Sequence, residues 1–215
     1  MCGIAGLIHR GKSSNVGSEL QQMLQALKHR GPDSTGYALY AENEGKNFIM
    51  RFKVGENVGE GSSSVNEDES VYDERKKLVD SMLSDLGAKI IKEDRLTPYS
   101  FRYEMNFDKD LMEFSKKIES IENVEILSIG KSLELIKDLG DAKVVSDRYN
   151  LSKVKGTHAI GHARMATESG VDIKSAHPFW GYPFSDVSVV HNGQLTNYWN
   201  NRRSLENKGM RFMSE

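Results

Sequence analysis

The chain has 215 residues, enough for one large or two small domains, of which 38% are hydrophobic and 28% charged. These fractions are ordinary for a folded protein and exclude a fibrous or wholly disordered chain. The formal charge of −2 gives no field that would favour nucleic acid or an anionic membrane. A small neutral or zwitterionic ligand is therefore the better expectation.

The sequence also carries signals about the compartment. No apolar run reaches the roughly 18 residues that a membrane span needs, and the amino terminus lacks the order of a signal peptide. We therefore expect a cytoplasmic protein. Cys2 is the chain's single cysteine, which excludes an internal disulfide and predicts a free thiol in a reducing compartment. No cofactor is expected.

The first elements are predicted from their apolar spacing. Residues 3–8 alternate small and aliphatic side chains, which predicts a buried strand directly after Cys2. Residues 18–28 predict a helix capped by Ser18, and residues 37–40 a strand with 47–54 as its hairpin partner. Residues 55–72 are rich in glycine, serine and acidic side chains, which predicts a linker or flexible loop.

A second compact pattern fills residues 73–154. Its predicted order is helix, two strands, helix and strand, at 78–86, 88–91, 99–105, 111–118 and 124–129. That order favours a small α+β insertion with a ferredoxin-like antiparallel sheet and no catalytic role. Residues 1–54 and 155–215 would then form the main domain.

The last sixty residues carry the most functional information. Residues 157–167 and 187–193 read as strands that end in polar side chains, as a cleft at one sheet edge requires. Residues 195–208 predict a helix, although its asparagines lower the propensity.

Cys2 is a candidate nucleophile because removal of Met1 would put a thiol and a free α-amine on one residue. In model peptides an α-amine has a pKa of about 8 and a thiol one of about 8.5, so such an amine can take the thiol's proton. The alternative is that Cys2 is an inert small hydrophobe at the start of a strand.

Four residues in the last sixty of the chain are candidate partners of Cys2. Asn192 and Gly193 can offer N–H donors to an oxyanion, although an Asn-Gly pair also forms simple hairpin turns. Arg164 can clamp a carboxylate through its planar fork, with Thr167 adding a hydroxyl, although it can equally be a surface arginine.

Histidines in the same region raise the question of a metal site. They are His158, His162, His177 and His191. Since the sequence offers neither further cysteines nor a carboxylate at ligand spacing, no metal is expected.

Together, five segments resemble class II glutamine amidotransferases, which are N-terminal nucleophile hydrolases. They occur in the family's order: CGIAG at 2–6, HRGPD at 29–33, GHARMAT at 161–167, HPF at 177–179 and HNG at 191–193. The resemblance implies an α+β fold, a four-layer αββα sandwich. It also implies hydrolysis of L-glutamine to glutamate and ammonia through a thioester on Cys2.

The resemblance assigns roles residue by residue. Cys2 would be the nucleophile and its freed α-amine the general base, with Asn192 and Gly193 as the oxyanion hole. Arg164 would bind the α-carboxylate of glutamine, with Thr167 and Gly193 as further substrate contacts. Arg30, Gly31 and Asp33 would support the loop beside the nucleophile.

The long insertion is most similar to the glutaminase component of archaeal-type glutamate synthases. It is also similar to the amidotransferase-like subunit of methylamine-glutamate N-methyltransferase. This similarity implies a synthase subunit or domain that accepts the ammonia, and it leaves the oligomeric state open.

Departures from the family pattern keep other functions open. Met165 stands where many relatives have tryptophan or tyrosine, and Glu168 where several have histidine. The aspartate expected after the Asn-Gly segment is absent, so we expect the sandwich to be incomplete at its carboxyl-terminal end. The alternatives are a non-catalytic regulatory or assembly subunit and an N-terminal nucleophile hydrolase that acts on another amide.

Overall fold

The computed structural model describes residues 2–42, 47–56, 67–165, 173–210 and 212. Its helices are α1 (Val16–Ala26), α2 (Glu69–Asp85), α3 (Leu111–Ile118), α4 (Ala142–Arg148) and α5 (Tyr198–Glu206). Its strands are β1 (Gly3–Ile8), β2 (Ser34–Ala41), β3 (Phe48–Lys53), β4 (Lys89–Thr97), β5 (Ser100–Asn106), β6 (Glu125–Gly130), β7 (Leu133–Leu139), β8 (Gly156–Arg164), β9 (Phe179–Trp180) and β10 (Ser188–Val189). Short 3₁₀ turns occupy Lys28–Arg30 and Leu151–Lys153.

The first sheet has the strand order β1-β8-β2-β7, and every neighbouring pair in it is antiparallel. Helices α1 and α4 cover one of its faces. Leu20 and Leu24 from α1 pack there with Tyr37 and Ile136 from the strands and Val145 from α4. Leu20 and Leu24 lie at helical spacing on α1, which explains why this helix packs against the sheet with one face.

The second sheet has the order β4-β5-β3-β6 and is also antiparallel. Helices α2 and α3 cover its outer face. Val79 and Leu83 from α2 and Phe114 from α3 pack on Phe52 and Tyr103 of the strands. Alternation along β3 places Met50, Phe52 and Val54 in this core and leaves Arg51 and Lys53 for the opposite face.

The two sheets meet through a small apolar cluster and a set of buried charges. Ala38, Leu127 and Leu135 pack together between them. Arg51 donates to Glu134 across the interface at 2.9 Å, from Nε to Oε2. Helices, sheet, sheet and helices therefore form four layers, and the α+β sandwich expected from the sequence is confirmed.

One predicted strand pairing is wrong. Residues 47–54 do form a strand, but β3 pairs with β5 and β6 instead of forming a hairpin with β2. The two edges of β2 are occupied by β7 and β8, so no ladder position remains for β3.

The predicted insertion does not build a ferredoxin-like sheet of its own. Its strands β4, β5 and β6 share their sheet with β3, because β3 presents the apolar face that α2 and α3 cover. The following β7 completes the first sheet beside β2. The proposed domain boundaries stay predictions.

Two local expectations also need correction. Helix α1 begins at Val16 after Asn15, so Ser18 lies inside the helix and is not its cap. Helix α2 begins at Glu69, and Asp68 caps it by accepting from the Ser70 N–H, so the predicted linker 55–72 ends in helix. Residues 57–66 of that linker lie outside the described residues. No described helix combines the length and the apolar character that a membrane crossing requires.

Candidate active site

Cys2 and Arg164 occupy adjoining positions on neighbouring strands. Gly3 pairs with Ala163 in the antiparallel β1–β8 ladder, so the residue before Gly3 lies opposite the residue after Ala163. Cys2 is partly buried, and its thiol donates to the carbonyl of Met165 across 3.9 Å. Arg164 is only 8% exposed. The structure thus brings together two residues that are 162 positions apart in the sequence.

The same register aligns a third residue with this pair. Ser34 at the start of β2 pairs with Arg164 on the other side of β8. Gly3 and Ala5 face the helical layer, where Gly3 lies against Leu27 and Ala5 joins the core. Since side chains alternate along a strand, Cys2 faces away from that layer. Cys2, Arg164 and Ser34 therefore form one row on the face opposite α1.

The predicted supporting loop packs directly on this row. A Cβ at Gly31 would lie 2.5 Å from the carbonyl carbon of Arg164, so only glycine allows this close approach. The Asp33 N–H donates to the Arg164 carbonyl at 3.2 Å. Arg30 is exposed at the end of a 3₁₀ turn. Gly31 and Asp33 thus hold the end of β8, whereas Arg30 lies at the surface.

Asn192 reaches the start of the chain. Its Nδ2 donates to the backbone carbonyl of Cys2 at 3.1 Å. Asn192 and Gly193 are both exposed, beyond the short strand β10. A Cβ at Gly193 would lie 3.0 Å from Nε2 of His191, so the glycine lets that imidazole pack closely. The side-chain amide of Asn192 therefore lies beside the nucleophile candidate.

Two further expectations have different outcomes. Thr167 lies outside the described residues, so its predicted contact stays a prediction. Within the described parts of the chain, no group of three or more histidine, cysteine, aspartate or glutamate side chains is arranged to hold a metal ion.

Two histidines, the buried His162 and the half-buried His177, lie in contact near Arg164. The rings of His162 and His177 lie 5.0 Å apart, and burial lowers the pKa of each to about 4. Both imidazoles are therefore neutral at pH 7. A Cβ at Gly36 would lie 2.0 Å from the His177 carbonyl oxygen, so glycine is what allows this segment to lie on β2.

Sequence reasoning did not single out Ser34, and it considered His162 only as a metal ligand. Strand alternation was the available signal. His162 precedes Arg164 by two positions, so both point to the same face of β8. Ser34 could be identified only after the β2–β8 register was known, because no local pattern specifies that pairing.

A cavity of about 1260 Å³ is lined by His177 and Gly193, but not by Cys2, Arg164 or Asn192. Its walls include His177, Phe179, Trp180, Lys137 and Gly193. The strand ends bring together a thiol, a buried guanidinium and a side-chain amide. These groups can supply a nucleophile, a carboxylate clamp and a hydrogen-bond donor.

Two relatives align over the whole chain. The protein named "Putative glutamine amidotransferase" from Methanothermobacter thermautotrophicus is 39% identical over 222 residues, which cover 99% of this chain and 67% of the relative. The "Glutamine amidotransferase-like protein GlxB" from Rhizobium meliloti is 30% identical over 220 residues, which cover 100% of this chain and 66% of the relative. The chain thus spans about two thirds of the length of both relatives.

A more distant match is partial. Amidophosphoribosyltransferase 2 from Arabidopsis thaliana is 38% identical over 87 residues, which cover 40% of this chain and 16% of the relative. No family model matches the chain. The alignment at 39% identity over 99% of this chain nevertheless decides the relationship, and the chain belongs to the glutamine amidotransferase family.

Proposed function

We propose that this chain is a class II glutamine amidotransferase that hydrolyses L-glutamine through Cys2 as an N-terminal nucleophile. The observation that carries the proposal is the adjacency of Cys2 and Arg164 across the β1–β8 ladder, with the Asn192 amide 3.1 Å from the Cys2 carbonyl. Three residues from distant parts of the chain meet at one strand end, as a small-substrate site requires.

The proposed reaction begins when Met1 has been removed. The thiol of Cys2 transfers its proton to the residue's own α-amine, and the sulfur attacks the carboxamide carbon of glutamine. The tetrahedral intermediate collapses as the α-ammonium returns the proton to the leaving nitrogen, which departs as ammonia. Water then attacks the thioester, and glutamate leaves with the thiol restored.

Arg164 is proposed to bind the α-carboxylate of glutamine. Its side chain lies in the same row as Cys2, and a glutamine molecule is long enough to join neighbouring strands that are about 5 Å apart. Gly31 and Asp33 support this role because both contact the backbone of Arg164. A buried guanidinium with a fixed backbone is the arrangement that bidentate recognition favours.

Asn192 and Gly193 are proposed to stabilise the oxyanion. The amide of Asn192 already donates one N–H to the Cys2 carbonyl, which fixes its distance from the nucleophile. The second N–H of the Asn192 amide and the backbone N–H of Gly193 would donate to the developing oxyanion. Removing one such donor lowers kcat by about 10²–10³-fold in well-studied hydrolases.

The ammonia is proposed to pass to an acceptor on a synthase subunit or domain. The support is the membership of the glutamine amidotransferase family. We expect the chain and its partner together to use glutamine for amination without releasing free ammonia.

Ammonia release from glutamine by the Met1-free protein tests the proposal. Cys2→Ala is expected to abolish release, and Arg164→Lys to raise the KM for glutamine because the planar fork is lost. Arg203→Lys is the matched control, since Arg203 is exposed on α5. A Met1-free wild type that releases no ammonia would reject the proposal and favour a non-catalytic subunit.

A further inference from the structure

Two buried polar side chains flank Arg164, and each has one atom without a hydrogen-bond partner among the described residues. Ser34 is 0% exposed and His162 is 2% exposed. Among the described residues, neither the Ser34 hydroxyl nor the His162 Nδ1 finds a partner. A buried polar atom left unsatisfied destabilises a protein, so two such atoms beside one arginine call for an explanation.

Both side chains face the same space as Arg164. Ser34 lies directly opposite Arg164 in the β2–β8 ladder, and His162 is two residues earlier on β8. Cys2 occupies the position on the other side of Arg164. The guanidinium is therefore bordered by the thiol on one strand, by the hydroxyl on another and by the imidazole along its own strand.

This arrangement matches the needs of one carboxylate. A carboxylate has about four acceptor positions, and a bidentate arginine uses two of them. A serine hydroxyl and a neutral imidazole each carry one proton that can serve a remaining position. A bound carboxylate would thus satisfy the two atoms that have no partner among the described residues.

We propose that Ser34 and His162 are substrate-binding residues that donate to the α-carboxylate held by Arg164. The inference rests on the proposed glutamine site and adds two specificity contacts to it. It assigns the ligand end as an α-amino acid carboxylate, the group that glutamine and its product glutamate share.

Ser34→Ala is the first test. The variant is expected to raise the KM for glutamine about tenfold or more, because a hydrogen bond to a charged group is lost, with kcat within about twofold of the wild type. Its melting temperature is expected to stay equal or to rise, since an unsatisfied hydroxyl is removed from the free protein. A structural serine would behave in the opposite way.

Ser115→Ala is the matched control. Ser115 is also 0% exposed and unpartnered among the described residues, but it lies on α3 in another layer. Its removal is expected to leave the KM unchanged. If Ser34→Ala keeps the KM within about twofold of the wild type, or lowers the melting temperature, the inference is overturned.

His162 is tested by a pair of variants. Asn places an amide nitrogen near the position of the imidazole Nδ1, so His162→Asn is expected to retain most of the affinity. His162→Leu is expected to lose it by about tenfold. Equal KM values for the two variants would contradict a hydrogen bond from this side chain.

Binding of L-glutamate separates this inference from the proposed function. Glutamate carries the same α-carboxylate but needs no chemistry at Cys2, so its stabilisation of the protein against heat reports binding alone. If the wild type binds glutamate and Ser34→Ala does not, the inference holds even when glutamine is not hydrolysed. If glutamine is hydrolysed and both Ser34→Ala and His162→Leu keep the wild-type KM, the inference fails while the proposed function stands.

Discussion

Gly31→Ala is the perturbation that most directly tests how the loop holds Arg164. Gly31 has φ −177°, an extended conformation that any residue adopts, so the effect of a substitution is purely steric. The added Cβ would lie 2.5 Å from the carbonyl carbon of Arg164 and 2.6 Å from the carbonyl carbon and oxygen of Ala163. All three neighbours are backbone atoms of β8, which cannot move aside as a flexible side chain can.

The expected magnitude follows from forcing an extra methyl group into close packing. Such changes cost typically about 1–3 kcal/mol. For a chain of this size each kcal/mol lowers the melting temperature by about 2–4 °C. Movement of the loop would also lengthen the 3.2 Å bond from Asp33 N–H to the Arg164 carbonyl, so the KM for glutamine should rise as well.

Thermal unfolding and glutamine hydrolysis, measured on the same preparation, check this prediction. Gly6→Ala is the control, because the nearest atom to its added Cβ is a methyl of Ile160 at 3.2 Å and Gly6 is exposed. That variant should change stability by less than about 1 kcal/mol. A Gly31→Ala protein with wild-type melting temperature and KM would refute the described contact between the loop and β8.

Three further predictions concern the scaffold. Glu134→Gln leaves the guanidinium groups of Arg51 and Arg102 beside a neutral amide, so denaturant unfolding should show a stability loss of about 3–5 kcal/mol. A stability loss below about 1 kcal/mol would contradict the buried pairing. Burial lowers the pKa of His177 from 6.5 to about 4, so the unfolded chain binds a proton at higher pH than the folded protein, and the free energy of unfolding should fall as pH drops from 6.5 to 4. In a pH series of denaturant unfolding, His177→Asn should show a shallower decline, and an equal slope would contradict a neutral His177 in the folded protein. Asp186→Ala removes a carboxylate that accepts from three backbone N–H groups of the β6–β7 turn, so denaturant unfolding should show a loss of about 1.5–3 kcal/mol. Asp186→Asn keeps one acceptor oxygen and should lose less stability; equal losses would contradict the role of the acceptor.

Several elements could be predicted from the sequence, whereas strand β7 could not. Strand β1 and helix α3 occur at the predicted positions because their apolar side chains follow the expected periods. Strand β7 was missed because Glu134, Lys137 and Asp138 give it a polar composition, although all three are buried. Their partners come from other strands, so burial of these charges cannot be inferred from the local sequence.

The pairing of strands was the second limit. The sequence placed β2 and β3 next to each other because consecutive strands usually form hairpins. Tertiary packing instead places them in different sheets, and α2 and α3 cover the apolar face of β3. For the candidate site, the motifs named Cys2, Arg164 and Asn192, but only the register revealed that Ser34 and His162 adjoin them.

The central claim is that Cys2 with a free α-amine is the nucleophile of a glutamine site. The most direct measurement is intact and peptide-level mass spectrometry after treatment with an electrophilic glutamine analogue. We expect a chain that lacks Met1 and carries one adduct on Cys2, and we expect excess L-glutamine to prevent this labelling. A retained Met1, an unmodified Cys2 or labelling that glutamine does not slow would contradict it.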